Sequence, residues 1–337
     1  GAKALEVHQE DVALSFLPLG HAFERMVAYV YLLCGVTVVF AESFETLGRD
    51  ILTVKPTVLT GVPRVYEKLH GRIMDKGQAG SWLKTALFRW AIDTGKPRAR
   101  AILQGHDPSP LTSKQNALAD QLVFDKIRVG LGGRIRYLVS GSAPLATSVA
   151  EFFYGIGLPV IEGYGLTETA PILTVNPPEA PRAGTVGKTV EGVELRIAAD
   201  GEILARGPNV MPGYYKKAQA TTDVLKDGWF HTGDIGAIDP HGYLSITDRK
   251  KDLLVTSGGK KIAPQPIEAV LKRSPIISEA VVLGDRRKYA AALIVPDFKA
   301  LDRRLQDLGR PPHHGSRQEL LARSDVLALY QEIVEAL

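Results

Sequence analysis

Residues 160–169 read Val-Ile-Glu-Gly-Tyr-Gly-Leu-Thr-Glu-Thr, a predicted β-strand that runs directly into a glycine-rich turn. The same combination precedes it at 136–144, where Arg-Tyr-Leu-Val-Ser is followed by Gly-Ser-Ala-Pro. Shorter β-rich runs and helical patterns alternate with these two segments, with strands predicted at 36–40 and 57–60 and helices at 22–33, 63–75 and 145–155. This alternation predicts an α/β fold with a parallel sheet and crossover helices, in which ligands bind beyond the C-terminal ends of the strands.

The pattern changes near residue 175. Short strands and tight turns follow, with Asp200-Gly201 predicting a hairpin between 194–197 and 202–205, so a small β-barrel-like unit is expected. A helix after Pro266 and strands at 280–283 and 291–295 then predict a smaller α+β domain. The predicted organisation is therefore an α/β part of a large domain, a β-barrel-like subdomain, a hinge and a small C-terminal domain, at 1–182, 183–247, 248–251 and 252–337.

Two segments near the ends of the chain carry weaker predictions. Residues 302–318 are polar and proline-rich, and we interpret them as a surface loop. The first residues, Gly1-Ala-Lys-Ala-Leu, read as a helix already under way. The chain is therefore expected to be truncated at its N-terminus.

The composition excludes several classes of protein. The net charge of +4 over 337 residues is too small, and its basic residues too scattered, to predict nucleic-acid binding. The longest apolar run, Met26–Phe40, is shorter than the ~18–20 residues that span a bilayer and is interrupted by Gly35. The single cysteine, Cys34, cannot form an internal disulfide. A cytoplasmic protein, with contact at a membrane surface left open, is expected.

The turn at 163–169 has the residue types that a nucleotide site needs. Its glycines let the backbone approach a ligand closely, and Tyr164 offers a flat face to a base. Thr167 offers a hydroxyl to a phosphate, and Glu168 a carboxylate to Mg²⁺, which prefers a few carboxylates plus phosphate oxygens. On its own, such a short segment is more often an ordinary strand-to-helix turn.

Three further segments follow in a fixed order: Trp-Phe-His-Thr-Gly-Asp at 229–234, Thr-Asp-Arg-Lys-Lys-Asp at 247–252 and Ser-Gly-Gly-Lys-Lys-Ile at 257–262. Together with the turn at 163–169, they resemble the adenylate-forming superfamily. That superfamily includes acyl-CoA synthetases, luciferases and the adenylation domains of peptide synthetases. The resemblance covers essentially the whole chain.

The resemblance implies a role for each matching residue. The adenine pocket would be lined by Gly141, Ser142, Ala143 and Pro144, with Tyr164 and Gly165 flanking the base. Thr167 would meet the α-phosphate, and Glu168 would bind Mg²⁺. Asp234 would hold the ribose, with Arg249 near ribose or phosphate. The pantetheine path of CoA would be bordered by Ser257, Gly258, Gly259 and Lys260, and the hinge would be Asp248–Lys251.

Residues 14–25, Leu-Ser-Phe-Leu-Pro-Leu-Gly-His-Ala-Phe-Glu-Arg, resemble the acyl-pocket segment of the superfamily. His21 would then lie near the substrate carboxylate, although a structural role for this histidine is equally open. The catalytic residues expected from the resemblance are Glu168, Thr167 and His21. The segment Gly61–Tyr66 also matches and would contribute to the wall of an acyl tunnel.

A long segment at 67–133 resembles the long-chain fatty acyl-CoA synthetase branch. Within it, Trp82, Leu83, Ala86, Leu87 and Trp90 recur at helical spacing. This stripe predicts either a helix packed on its own domain, which we favour, or a membrane-facing helix with tryptophan at the interface.

The implied activity has two steps: ATP activates a fatty acid to an acyl-adenylate, and CoA then takes the acyl group. ATP or AMP, Mg²⁺, CoA and a fatty acid are the expected small-molecule ligands, and homo-oligomerisation is left open. Two alternatives remain, an acyl-AMP ligase that serves a carrier protein and a non-catalytic nucleotide- or acyl-binding chain. The superfamily's upstream phosphate loop and C-terminal lysine have no counterpart here, so the chain is expected to be truncated at both ends and to be inactive alone.

Overall fold

The computed structural model describes residues 7–310 and 315–336. The chain divides into two compact units. The first comprises the residues up to Thr232 together with Ala237–Ile246, and the second comprises Gly233–Gly236 together with the residues from Thr247 onward. The predicted boundaries of the three parts and the hinge stay predictions, as does the helix at residues 1–5, which lies outside the described residues.

A seven-stranded sheet forms the centre of the first unit. Its strands are β1 (Val12–Ser15), β2 (Thr37–Phe40), β3 (Val58–Gly61), β4 (Tyr137–Ser140), β5 (Val160–Gly165), β6 (Ile172–Val175) and β7 (Lys188–Thr189). They are ordered β2-β1-β3-β4-β5-β6-β7, and the first five are parallel. From β5 to β7 the pairing is antiparallel. The predicted α/β fold with its parallel sheet is confirmed, and β1 is a strand that the sequence patterns did not predict.

Helices cover the sheet and connect its strands. They are α1 (Ala22–Leu33), α2 (Leu47–Val54), α3 (Pro63–Gln78), α4 (Trp82–Leu103), α5 (Pro110–Ala119), α6 (Asp125–Val129) and α7 (Thr147–Gly155). A π-helical turn, Asp120–Phe124, joins α5 to α6. The adjacent strands β3 and β4 are therefore separated in sequence by four helices and this turn. The helices predicted at 22–33, 63–75 and 145–155 are confirmed.

The N-terminal ends of three strands are held together by one buried acid. Asp11, just before β1, accepts hydrogen bonds from Thr57 Oγ1 and Arg136 Nη2, each at 2.6 Å. These residues precede β3 and β4. This polar cluster lies at the N-terminal ends of the strands. The loops described below leave the opposite side of the sheet, at the C-terminal ends of the strands.

Helix α4 buries a different face from the one predicted. Its buried side chains include Phe88, Ala91 and Ala99, whereas Trp82 is 77% and Leu83 61% exposed. The preferred interpretation, in which the stripe containing these two residues packs on its own domain, is therefore wrong for them. The reason is the close approach of α4 to α7, where a Cβ at Gly95 would meet the backbone of Gly155.

No helix within the described ranges is both long enough and apolar enough to cross a bilayer.

A second sheet follows β7. Its strands are β8 (Glu194–Ile197), β9 (Glu202–Arg206), β10 (Leu225–Lys226), β11 (Trp229–Ile238) and β12 (Leu244–Arg249), with helix α8 (Ala218–Val224) between β9 and β10. The order is β10-β11-β9-β8, and β12 pairs with β11. The hairpin predicted around Asp200-Gly201 is confirmed, with Ile197 opposite Ile203.

The second unit continues with two hairpins and four helices. The elements are β13 (Leu254–Val255), β14 (Lys261–Ile262), α9 (Pro264–Leu271), β15 (Ile277–Leu283), β16 (Ala291–Pro296), α10 (Phe298–Asp307), α11 (Arg317–Ala322) and α12 (Ser324–Glu335). The predicted helix after Pro266 and both predicted strands are confirmed.

The surface loop predicted at 302–318 is wrong at both of its ends. Helix α10 extends to Asp307 because Leu301 and Leu305, one turn apart, are both buried. Helix α11 begins at Arg317, capped by reciprocal hydrogen bonds between Ser316 and Glu319. Residues 311–314 lie outside the described part of the chain.

Candidate functional site

The C-terminal ends of β1, β3, β4 and β5 meet at one edge of the first sheet because these strands are parallel. The loops that leave this edge carry most of the predicted site residues of the first unit. The Gly141 amide donates a hydrogen bond to the Gly61 carbonyl at 3.3 Å and so joins the ends of β4 and β3. Open α/β sheets place ligands at this edge.

The loop Gly141–Pro144 is exposed after its first residue. Ser142 has a φ of 71°, in the left-handed region that few residues other than glycine adopt. A Cβ at Gly141 would lie 2.9 Å from Phe23 Cζ, so the loop is in close contact with the first turn of α1. The structure therefore brings the predicted adenine loop and the predicted acyl-pocket segment together.

His21 has a structural role in this segment. It is the N-cap of α1, and its Nδ1 accepts a hydrogen bond from the Phe23 amide at 3.2 Å. One turn on, Glu24 is buried, and its carboxyl accepts a short hydrogen bond from Ser15 Oγ. Burial raises the pKa of Glu24. The imidazole itself is exposed at the edge of the sheet, where a role toward a substrate stays open.

The glycine turn at the end of β5 is fixed by its neighbours. Tyr164 pairs with Thr174 of β6, and a Cβ at Gly165 would lie 1.5 Å from the Pro171 carbonyl oxygen, so only glycine fits there. Thr167 is exposed in the short 3₁₀ turn that follows.

The carboxylate of Glu168 has a partner that the sequence did not suggest. Its Oε1 accepts a hydrogen bond from the Tyr214 hydroxyl at 2.8 Å. Burial and this contact raise the pKa of Tyr214. The two residues are 46 positions apart, so no local pattern connects them.

Glu162 is a second carboxylate at this edge that was not predicted. It lies in β5 immediately before the glycine turn, and its Oε2 accepts a hydrogen bond from the Leu145 amide at 3.4 Å. Burial raises the pKa of Glu162 to about 7, and the bond from Leu145 opposes that rise. Glu162 thus links β5, which leads into the turn at 163–169, to Leu145, the residue after the loop Gly141–Pro144.

Two predicted site residues form an ion pair within the second unit. Asp234 is 5% exposed in β11, and Arg249 Nε, at the end of β12, lies 3.4 Å from its Oδ1. The Lys250 amide also donates to the Gly233 carbonyl at 2.8 Å, which holds the chain after β12 against β11. The side chain of Arg249 is 67% exposed, so its guanidinium is available to a further anion.

The predicted pantetheine loop is the turn of a β-hairpin between β13 and β14. The Thr256 amide donates to the Lys260 carbonyl at 3.0 Å, and Thr256 Oγ1 accepts from the Lys260 amide at 3.1 Å. Gly259 has a φ of 79°, which the turn requires. Gly258, Gly259 and Lys260 are all exposed.

The described side chains do not form a complete metal site by themselves. A bound nucleotide would have to supply further ligands to a metal ion. Among residues 7–310 and 315–336, no group of three or more histidine, cysteine, aspartate or glutamate side chains could hold a metal ion. Glu168 supplies one carboxylate. This fits Mg²⁺, which commonly binds through one or two carboxylates and the phosphates of its substrate.

Comparison with known families agrees with this geometry. Residues 2–215 match the family described as AMP-binding enzyme, and residues 251–310 match the AMP-binding enzyme C-terminal domain. The chain belongs to the AMP-binding enzyme family. The predicted membership of the adenylate-forming superfamily is thereby confirmed.

Within the AMP-binding enzyme family, the chain is similar to curated long-chain ligases. Long-chain-fatty-acid–CoA ligase FadD15 of Mycobacterium tuberculosis is 42% identical over 290 residues, which are 86% of this chain and 48% of that protein. Long-chain-fatty-acid–CoA ligase 1 of Homo sapiens is 36% identical over 332 residues, 94% of this chain and 46% of that protein. The chain spans about half the length of the curated relatives it matches.

Solved structures show the same fold. O-succinylbenzoate coenzyme A synthetase from Bacillus subtilis, in complex with ATP and magnesium ion, matches with a TM-score of 0.64 at 25% identity. The match covers 88% of this chain and 54% of that one. ATP-bound MatB from Rhodopseudomonas palustris matches with a TM-score of 0.63 at 27% identity, over 91% and 55% of the two chains.

Proposed function

We propose that the protein uses ATP to activate a long-chain fatty acid and transfers the acyl group to CoA. In the first step, a carboxylate oxygen attacks the α-phosphorus of ATP, and pyrophosphate leaves. In the second, the thiol sulfur of CoA loses its proton and attacks the acyl carbon, and AMP leaves. The observation that carries this proposal is the 42% identity to a long-chain-fatty-acid–CoA ligase over 86% of the chain.

The nucleotide would lie against the edge of the first sheet. The exposed loop Gly141–Pro144 would face the adenine, with Tyr164 and Gly165 beside the base. Thr167 would donate to the α-phosphate, and Glu168, held by Tyr214, would share Mg²⁺ with the phosphates. When bound, Mg²⁺ would offset the negative charge that develops on the phosphates.

Asp234 would contribute the ribose contact. Arg249 lies beside Asp234 and would hold its carboxylate, which the resemblance assigns to both ribose hydroxyls. Lys260 and the glycines before it would border the pantetheine of CoA. His21 would lie near the substrate carboxylate.

An apolar cavity supports a long-chain acyl substrate. It has a volume of about 620 Å³ and lies between α2, α3, α4 and α6, where Ile51, Leu69, Ile73, Phe88 and Ile127 line it. This is within the range of ~300–1,000 Å³ typical of ligand pockets.

A smaller cavity lies beside the larger one. Its volume is about 150 Å³, and it shares Gly48, Leu69 and Arg72 with the larger one. Phe44, in its wall, packs edge-on against Phe16, the residue after β1. The smaller cavity thus adjoins the C-terminal end of β1, near which the carboxylate would react.

The test is an assay with palmitate, ATP and Mg²⁺ in which either CoA or a holo-carrier protein is the acceptor. Acyl-CoA and AMP are the expected products. Transfer to the carrier protein alone would favour an acyl-AMP ligase, and absence of ATP–pyrophosphate exchange would favour a non-catalytic binding protein. Acyl-CoA and AMP are expected from a protein that also carries the superfamily's upstream phosphate loop and C-terminal lysine, whereas the prediction for the 337 residues alone is that they are inactive in the same assay.

The ribose contact can be tested separately. Asp234→Ala should weaken AMP binding by about 2–4 kcal/mol because it removes charge-assisted hydrogen bonds. Asp223→Ala, an exposed aspartate in α8, is the matched control and should bind AMP normally. Unchanged AMP affinity of Asp234→Ala in calorimetry would refute the assignment.

A further inference from the structure

The larger cavity has a basic rim. Arg72, Lys76, Lys84 and Lys126 belong to its lining, and no aspartate or glutamate lines it. Within the described ranges, none of these four cations forms an ion pair with a carboxylate. An apolar interior with an uncompensated positive rim is complementary to an anionic amphiphile.

An exposed apolar face adjoins this rim. Leu83, Leu87 and Trp90 follow the i, i+4, i+7 spacing of one face of α4, and Trp82 flanks them. Trp82 is 77%, Leu83 61%, Leu87 39% and Trp90 38% exposed. Leu87 and Lys84 also line the cavity, so the exposed face of α4 reaches the cavity mouth.

The π-helical turn brings a second apolar element to the same mouth. Leu122, in the middle of Asp120–Phe124, is 38% exposed and lines the cavity together with Leu87. The turn is anchored from behind, since Arg128 Nη2 pairs with Asp120 Oδ2 at 3.0 Å and its Nη1 donates to the Ile156 carbonyl at 2.9 Å. Such turns occur often at functional sites.

We propose that this face, defined by Trp82, Leu83, Leu87, Trp90 and Leu122, docks on an anionic lipid bilayer and admits a fatty acid from it to the cavity. The inference rests on the proposed long-chain acyl substrate. Tryptophan and leucine on a helix with lysine and arginine beside them are typical of elements that lie in the plane of a membrane interface.

Charge favours a bilayer over a neutral partner. Lys84 and Arg89 flank the apolar face on α4, and Lys126 lines the same cavity from α6. Each basic residue near an anionic surface strengthens binding, and salt weakens that contribution. The depth of insertion is limited to side chains, because the opposite face of α4 is packed on its own unit through Phe88 and Ala99.

The test compares binding to vesicles of phosphatidylcholine alone and of phosphatidylcholine with phosphatidylglycerol, at low and high salt. The wild-type protein should bind the anionic vesicles, and less so at high salt. The double variant Trp82→Ser/Leu83→Ser should bind them at least about tenfold more weakly. The control is Tyr29→Ser/Leu33→Ser, which removes two residues of α1 that are 56% and 86% exposed, and it should bind normally.

Three results would overturn the docking proposal: no binding of the wild type to anionic vesicles, equal loss in the control, or equal binding by the Trp82/Leu83 variant. Sedimentation of the free protein gives a fourth, because a dimer that the same variant dissociates would make this face an interface between copies. Binding of palmitate to the free protein is measured in parallel by calorimetry. Palmitate binding without vesicle binding rejects the docking surface alone, and vesicle binding without palmitate binding rejects the proposed acyl substrate.

Discussion

At the scale of single residues, the proposed nucleotide site depends on contacts that join distant parts of the sequence. Glu168 could be identified as a candidate ligand because it follows two glycines and a tyrosine in a short motif. Its partner Tyr214 could not, because a hydroxyl 46 residues away becomes a neighbour only through the fold. The same holds for Glu162, which accepts a hydrogen bond from the Leu145 amide, a contact that the residues around Glu162 do not indicate.

Tyr214 should orient Glu168 without supporting the fold. Tyr214→Phe removes only the hydroxyl, and we expect the rate of ATP–pyrophosphate exchange to fall about tenfold, the equivalent of a hydrogen bond to a charged group. Tyr215→Phe is the matched control, since Tyr215 is 85% exposed. Equal rates in the two variants would show that the hydroxyl does not position the carboxylate.

Glu162 should make stability depend on pH near neutrality. Its pKa is about 7 in the folded chain against an ordinary value of 4.5, so between these values the folded state holds a proton that the unfolded chain has released. This contribution to stability is complete below pH 4.5 and is lost as the pH rises through 7. Glu162→Gln, which stays neutral, should therefore gain up to about 3 kcal/mol over wild type between about pH 5 and pH 8.

Urea unfolding at a series of pH values measures this gain. Glu179→Gln, at an exposed position, is the control and should leave the pH profile unchanged. Parallel profiles for Glu162→Gln and wild type would show that Glu162 titrates normally.

At the scale of elements, local sequence patterns located some of the helices and strands but not the face that each helix buries. The apolar stripe on α4 has helical spacing, yet contact with α7 decides which face of α4 is buried. A Cβ at Gly95 would lie 3.1 Å from the Gly155 carbonyl oxygen, so the backbones of the two helices touch there. The residues near Gly95 in the sequence do not indicate this contact. Helix α10 was missed for the opposite reason, since its polar residues outnumber Leu301 and Leu305, the two side chains that it buries in the core.

The contact between α4 and α7 can be tested with two alanine substitutions. Gly95→Ala should destabilise the protein by about 1–3 kcal/mol because the added methyl meets backbone that cannot move aside. Gly71→Ala, in α3 with nothing within 4 Å of its Cβ, should instead stabilise by about 0.5–1 kcal/mol. Thermal unfolding of both variants would reveal the difference, and a gain in stability for Gly95→Ala would contradict the close contact.

At the scale of the whole molecule, the hinge predicted at Asp248–Lys251 is the feature with the largest functional consequence. Asp248 is fixed, because its carboxylate accepts from the Arg249 amide at 2.6 Å and the Gln265 amide at 3.4 Å. Lys251 follows in an exposed turn. Rotation would therefore be expected after Asp248 rather than at it.

Lys251→Pro should separate the two half-reactions. Proline fixes φ near about −65°, so the chain would favour one arrangement and lose most of the step that needs the other. Lys251→Ala removes the same charge but keeps backbone freedom, and it should retain both steps. The rates of ATP–pyrophosphate exchange and of thioester formation are the two measurements, and an equal fall in both for Lys251→Pro would argue against a hinge here.

The long segment between β3 and β4 also affects how the chain folds during synthesis. Val58 pairs with Tyr137, so the ribosome must add 79 further residues before β3 can meet its neighbour. At ~5–20 residues per second, this takes on the order of 4–16 s. During that interval β3 has an unpaired edge on the side later occupied by β4, a surface open to association with other nascent chains. Helices α3 to α6 emerge in the same interval and can form from local contacts, so the nascent protein would acquire its outer helices before its central sheet is complete.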